Sequence, residues 1–377
     1  MRSKSSAFFV PTAKVNMICL FVVFAALTSG VLGGSLCPPR ENIYPCTCFN
    51  TRVGKNLYHT IVSCHRLRST ESFAPIFLFL KSLKIDQFYL FDSFWDAHML
   101  GEEHNKVLPK NWLTTLKIKE IDIVDSTLAA CFACSPMLTC SNSVTTRFTV
   151  SNSTEGEKIC TLCETGKGNK YSWTGCMKKL QSFHFINSQI TQIGLDLFPM
   201  PMRDLVVLNV SRNAITKVDS TVFKNLKKLK SLDLSHNQID KLDALFAFEM
   251  NLEFLDVSWN VIKTIGQQFF KNLPQLKTLI AEANDIVELK EADWKDVKPA
   301  LKFIDLRENP IHCDCDIRWI NSTFHINVVL QGTCATPEDY ENSLLRKASR
   351  FLIERCDEDG NIGTRKKIEA TVSSFLS

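Results

Sequence analysis

The amino-acid sequence predicts an α/β solenoid whose short parallel strands line one concave sheet, and three observations carry that expectation. The pattern LxxLxLxxNxI begins at Leu205 and returns at Leu229, Leu252, Leu276 and Leu301, at intervals of 23 to 25 residues. Every copy holds an asparagine at its ninth position: Asn213, Asn237, Asn260, Asn284 and Asn309. Cysteine clusters bracket the array on both sides, as a solenoid with exposed core at its ends requires.

A single copy cannot bury its own apolar face, so each contributes one strand that stacks on the next, with leucines and isoleucines as a continuous interior. A buried amide satisfies backbone donors and acceptors where the chain leaves each strand, which predicts a hydrogen-bonded asparagine ladder. Phe223, Phe246, Phe270 and Trp294 are expected to fill the convex side. Three degenerate copies precede the regular ones: LQSFHFINSQI from Leu180, with Ser188 in the asparagine slot, WLTTLKIKEIDI from Leu113, and FLKSLKIDQF from Leu80. Together these make eight copies.

The first residues, with Arg2, Lys4 and Lys14 ahead of an apolar run from Met17 to Leu27, read as a secretory leader cleaved near Gly33 or Gly34. The run is short for a membrane span of about 20 residues. No second apolar run of that length follows, and the tail after Cys356 lacks the hydrophobic end of a lipid-anchor signal, so no membrane anchor is expected. Loss of the leader lowers the formal charge from +4 to +1, which argues against nucleic acid as the main ligand. Of the fifteen cysteines, Cys19 leaves with the leader. The even remainder in an oxidising compartment is expected to form disulfides.

The N-terminal cluster is Cys37, Cys46, Cys48 and Cys64, opening CPPRENIYPCTC; the C-terminal one, Cys313, Cys315, Cys334 and Cys356, opens NPIHCDCDIRWI. With these residues the chain resembles the extracellular leucine-rich-repeat superfamily, a horseshoe closed by cysteine-rich flanking caps. The resemblance implies bridges Cys37 to Cys48, Cys46 to Cys64, Cys313 to Cys334 and Cys315 to Cys356, where sequence alone leaves three connectivities per cap. It also places Trp319 as a seal on the last repeat. Over its short opening the chain is similar to secreted arthropod leucine-rich-repeat proteins that include the non-catalytic subunit of oplophorus-type luciferase. That similarity implies a secreted enzyme subunit as an alternative partner role.

From Leu113 to Leu180 is 67 residues, against about 24 for a regular repeat, so some 43 are read as an insert. It carries Cys131, Cys134, Cys140, Cys160, Cys163 and Cys176. Two CxxC pairs suit tetrahedral zinc, but in a secreted chain the six are expected as disulfides, with no metal. The segment is otherwise polar and could not order itself without such staples. The expected organisation is leader 1–34, N-terminal cap 35–66, degenerate repeats 67–128, insert 129–178, regular repeats 179–311, C-terminal cap 312–356 and polar tail 357–377.

Side chains alternate along a strand, so the third, fifth and seventh positions of each copy are expected to face the concave side. The third reads Val207, Ser231, Phe254, Thr278, Phe303, and the fifth Asn209, Asp233, Asp256, Ile280, Asp305. Neighbouring Asp233 and Asp256 are the raw material of acid catalysis or cation binding. No histidine or nucleophile is read in that column and His236 falls on a turn open to solvent, so no catalytic residue, cofactor or enzyme activity is expected. Apolar Phe254, Ile280 and Phe303, with Trp259 past a turn and Lys277, Lys302, Asp256 and Asp305 alongside, have the make-up of a protein-binding face. Scattered exposed apolar residues are also normal on a surface. The run Lys224, Lys227, Lys228, Lys230 and the run Arg365, Lys366, Lys367 can attract sulfated glycans, against the plainer reading of a solvated face. Glycosylation sequons stand at Asn152, Asn209 and Asn321. The functional expectation is a secreted recognition module that docks an extracellular protein on its concave face.

Overall fold

The structure, a computed structural model, describes residues 37–55, 57–67, 70–93, 116–128, 144–155, 177–195, 197–198, 201–242, 245–266, 269–324 and 327–356. The expected leader, the tail with its basic run, and the cysteines from Cys131 to Cys176 lie outside these residues. A twelve-stranded sheet runs through the described chain in sequence order. Strands β1 (Thr47–Gly54) and β2 (Leu57–His65) form an antiparallel hairpin. After them come β3 (Lys84–Phe91), β4 (Lys117–Val124), β5 (Arg147–Ser151) and β6 (Ser182–Ile186). The short strands β7 (Val207–Asn209), β8 (Ser231–Asp233), β9 (Phe254–Asp256), β10 (Thr278–Ile280), β11 (Phe303–Asp305) and β12 (Val329–Gln331) complete it. From β2 onward each strand is parallel to the one before, which is the stacked-coil solenoid the repeats predict.

The pairing register alters the upstream half. Leu208 aligns with Phe183, Phe148, Ile121, Phe88 and Val62 on successive strands, so the consensus begins at Ile85 and Ile118, five residues after Leu80 and Leu113. LKSLKI and LTTLKI imitate the opening of the pattern; Leu80, Leu83 and Leu116 are buried as well, but the register puts Phe88, Leu90, Ile121 and Ile123 in the strand slots. Strand β5 lies inside the segment expected to be one continuous insert. Its coil reads Thr145, Phe148, Val150 and Ser153 in the slots of leucine, leucine, leucine and asparagine, all four buried. The extra residues are thus shared between two coils, whose matching ladder residues Ser126, Ser153 and Ser188 stand 27 and 35 residues apart. Residues 129–143 and 156–176, on either side of this coil in sequence, lie outside the described set.

A polar ladder threads the interior. In the regular half each asparagine bonds its own turn and the preceding coil: the Asn260 Nδ2 lies 3.0–3.1 Å from the carbonyls of Leu234, Val257 and Ser258, and its Oδ1 accepts from Ile239 N at 3.0 Å. The upstream half substitutes serine. Ser93, Ser126, Ser153 and Ser188 are buried; each hydroxyl donates to the carbonyl two residues earlier and accepts the amide of the coil before, from Leu67 N onward. The two ladders join where Ser188 N donates to Asn213 Oδ1 at 2.9 Å. A hydroxyl serves fewer backbone groups than an amide, in keeping with the longer, less uniform upstream coils.

The residue before every ladder position has positive φ, from Asp92 and Asp125 through His236 and Trp259 to Glu308. This left-handed turn rotates the following side chain into the core. On the convex side Phe223, Phe246, Phe269, Phe270 and Trp294 stack with centroids 4.9–6.0 Å apart, and Trp294 continues onto Trp319 at 5.7 Å. Trp319 packs on Phe324 and donates Nε1–H to Leu289 O, which seals the last coil as the resemblance implied.

Bridges Cys37–Cys48, Cys46–Cys64, Cys313–Cys334 and Cys315–Cys356 all form. In the C-terminal cap the helix Leu345–Arg355 buries Leu345, Ala348, Ser349 and Leu352. Gly332 has φ of 140°, and a Cβ there would stand 2.9 Å from Leu345 Cδ1 and 3.2 Å from Leu306 Cβ, so only glycine lets this helix close on β11.

Two stability outcomes are expected. Asn260→Ala leaves two coils with unpaired backbone groups and should lower unfolding free energy by at least about 2 kcal/mol, against about 1 for Ser153→Ala, read by denaturant melts. Replacing Cys313 and Cys334 together by alanine should cost about 2 to 5 kcal/mol; unchanged melting would contradict the cap's role.

Candidate functional site

The concave face is built by the third and fifth positions, held in columns by the register. Val207, Ser231, Phe254, Thr278 and Phe303 align across β7 to β11, as do Asn209, Asp233, Asp256, Ile280 and Asp305. Phe254, Ile280 and Phe303 are half-buried and face this side. Thr278 separates the two phenylalanines, so their strands stand about 10 Å apart at ordinary strand spacing. Ile280 lies diagonally between them. The apolar set is therefore a broken triangle around Thr278 rather than a single unbroken column.

Asp256 is half-buried and its Oδ1 accepts from Ser258 N and Oγ at 2.9 and 2.6 Å. Burial raises its pKa above the ordinary carboxylate value, and Asp233 next to it adds to the rise, while Ser258 opposes it. Asp305, expected at the edge of the face, is 2 % exposed. The Arg307 guanidinium clasps it through Nε to Oδ1 at 2.9 Å and Nη2 to Oδ2 at 2.6 Å. Strand β12 of the cap pairs alongside and closes over it, which removes it from the accessible surface.

Lys277 and Lys302 stand at the edge where the strands begin. Lys277 bonds Glu253, which Lys230 holds from its other side; the two lysines pull the Glu253 carboxyl down to about 2. Lys302 reaches Pro299 O at 2.9 Å.

Trp259 stands at the opposite edge, where strands end. It is 49 % exposed with φ of 55°, a left-handed conformation unusual for a bulky side chain. Its ring stacks on His236 at 5.2 Å and 10°. His236 is thus half-buried against Trp259 rather than free on a turn, and burial lowers its pKa, with Arg212 acting the same way and Asp256 and Asp233 opposing.

The upstream part of the face carries polar residues, of which the displaced register hid Glu120, Asp122 and Arg147, whereas His184 already stands at the fifth position of the copy read from Leu180. Arg147 Nη2 bridges Glu120 Oε2 at 2.9 Å and Asp122 Oδ2 at 3.1 Å. His184 occupies the fifth-position column beside Asn209, contrary to the expectation that no histidine joins it, and its Nε2 lies 2.6 Å from Ser182 Oγ. Burial lowers the His184 pKa most; Arg147 adds to this, while Asp122 and Asp233 oppose. The spacing Thr145, Phe148, Val150, Ser153 is the signal that would have revealed Arg147, and the fifth position of LQSFHFINSQI the signal that would have revealed His184.

Of the three sequons, Asn152 is exposed and engages Asn187 through its Oδ1. Asn209 donates Nδ2–H to Asp233 Oδ2 at 2.8 Å, and Asn321 donates to Arg346 O and Ser349 Oγ. Among the described residues no group of three or more His, Cys, Asp and Glu is placed to hold a metal, and no helix is long and apolar enough to cross a membrane.

His184 and its surroundings set a pH dependence. The unfolded histidine takes up its proton near its ordinary value of 6.5 while the folded one resists. Stability present above that pH is therefore lost as pH falls below it. Denaturant midpoints between pH 7 and 5 should fall less steeply for His184→Gln than for the parent; equal slopes would show that another group is responsible.

The family model described as leucine rich repeat matches residues 203–262. No curated protein matches the chain. The matched repeats, the parallel coils stacked on both sides of them and the cysteine pairs near both ends together fit a leucine-rich-repeat protein with disulfide caps.

Proposed function

We propose that this chain is a secreted, non-catalytic recognition module that binds an extracellular protein on the concave face of its C-terminal repeats. The single observation that carries the reading is Trp259, a large aromatic ring 49 % exposed and stacked on His236, on the same coil as Phe254. An exposed aromatic ring held in place by a neighbour is the kind of anchor that protein-binding faces use. Phe254, Ile280 and Phe303 supply further apolar area, Asp256 and the lysines Lys277 and Lys302 lie around it, and Asp305 acts through Arg307 from beneath the surface. Disulfides at both ends suit an oxidising compartment outside the cell.

A glycan on Asn152 fits this reading because that asparagine is exposed, upstream of the proposed contact. At Asn209 and Asn321 the amide nitrogen that would carry the sugar is already a hydrogen-bond donor within the fold.

The test starts with capture of partners from native secretions by the mature chain, identified by mass spectrometry, followed by titration of the captured protein. Trp259→Ala, Phe254→Ala or Phe303→Ala should each weaken binding by about 2 kcal/mol or more, with melting nearly unchanged. Asn209→Gln should bind like the parent. If the aromatic variants all bind normally, the concave-face reading fails. Recovery of one enzyme at fixed stoichiometry, whose activity in isolation falls without this chain, would instead favour a subunit role.

A further inference from the structure

The lysine-rich run of the regular repeats is not uniformly available. Lys228 pairs with Asp204 at 2.7 Å and Lys230 with Glu253 at 2.7 Å, while Lys224 lies 4.3 Å above the Phe248 ring and Lys227 is exposed. The sheet register shows that this run is one part of a longer feature. Lys84, Lys117, Lys179 and Lys228 occupy the same position on the coils of β3, β4, β6 and β8, at or just before the start of each strand. One residue earlier, Lys178, Arg203 and Lys227 form a second column, all three exposed. Stacking coils about 4.8 Å apart therefore draws cations distant in sequence into a belt along the rim where the strands begin. The opposite rim is mixed in sign: its turn residues include Asp92, Asp125 and Glu308 against Arg66 and Arg212. Asp204 takes the same column position between Lys179 and Lys228, and Glu253 lies on this rim as well, so the belt is an excess of cations rather than an unbroken row.

A groove of about 580 Å³ opens onto the belt, lined by Lys224, Lys227, Phe248 and Met250, with Glu249 as an opposing charge. Among the large apolar side chains lining it, Phe248 is exposed. A folded protein partner needs desolvated aromatic anchors. A row of flexible ammonium groups along one edge instead matches a linear chain of fixed negative charge, by long-range attraction and release of counterions.

We infer that this rim binds a linear sulfated polysaccharide, independently of the concave face. Such binding would concentrate the chain on cell surfaces or matrix while leaving the concave face open to a protein.

The test uses the mature full-length chain and a heparin-derived octasaccharide, by calorimetry and by salt elution from a heparin column. The parent should bind at about 0.15 M salt. Lys179→Glu with Lys227→Glu should weaken binding at least tenfold and lower the slope of log affinity against log salt by about two, one for each lysine that no longer displaces a counterion. Lys241→Glu with Lys263→Glu, the same change of net charge on residues that follow the strands, should stay within twofold. Arginine at 179 and 227 should retain binding, which separates charge from folding. If a reversal variant melts early, glutamine at the same two positions replaces it. No binding by the parent, or equal weakening by both reversal pairs, would overturn the inference. So would equally tight, rim-dependent binding of phosphatidylserine vesicles or of unsulfated hyaluronan, since either would assign the rim to another anion.

Discussion

The buried polar ladder is the interaction on which the rest of this molecule depends. The strands of the regular half are only three residues long, and single backbone bonds such as Val210 N to Asp233 O and Gln238 N to Ile215 O carry the lateral pairing beyond them. Where the chain leaves a strand, its amides and carbonyls enter the interior and would be costly without partners. Asparagine at these points bonds backward into the preceding coil, and thereby fixes the stacking register of everything outside it. The left-handed residue ahead of each asparagine or serine follows from that demand. So does the placement of Trp259, which stands at such a position because Asn260 must turn inward.

Replacing asparagine by serine relaxes the constraint without abolishing it. The serine oxygen still accepts the amide of the preceding coil, so the strands stay in line from Leu67 to Ser188. Coil length is freer in this half, and the spacings of 33, 27 and 35 residues between Ser93, Ser126, Ser153 and Ser188 contrast with the near-constant 23 to 25 between successive asparagines of the regular half. The residues that carry Cys131 to Cys176 belong in sequence to this permissive half, on either side of the paired strand β5.

The same stacking creates the surfaces. Register turns residues about 24 positions apart into neighbours, which brings Phe254 beside Thr278 and Phe303, sets Asp256 against Asp233, and gathers lysines along one rim. Asp256 and Asp233 illustrate the balance on the concave face: burial and mutual repulsion disfavour ionisation of Asp256, while the serines two residues on hold each carboxylate in place. The outcome is a pair of neighbouring carboxylates held in fixed positions on the concave face.

Periodicity alone was enough to read the solenoid, the five-strand regular half, the asparagine ladder and the convex aromatics, because consecutive copies of a strong pattern leave little freedom in how they stack. The cap bridges followed from the likeness of the cysteine clusters to a known arrangement. Tertiary pairing decided what weak patterns could not. LKSLKI and LTTLKI satisfy the leucine spacing as well as the true strand residues do, and only alignment with neighbouring strands selects Ile85 and Ile118. Thr145 and Ser153 do not look like repeat residues until hydrogen bonds from adjacent coils show them in the leucine and asparagine slots. Asp305 reads as an outward residue by alternation, yet Arg307 and the cap strand bury it. Spacing along a chain specifies which face a side chain takes, whereas its exposure and partners depend on the coils stacked on either side.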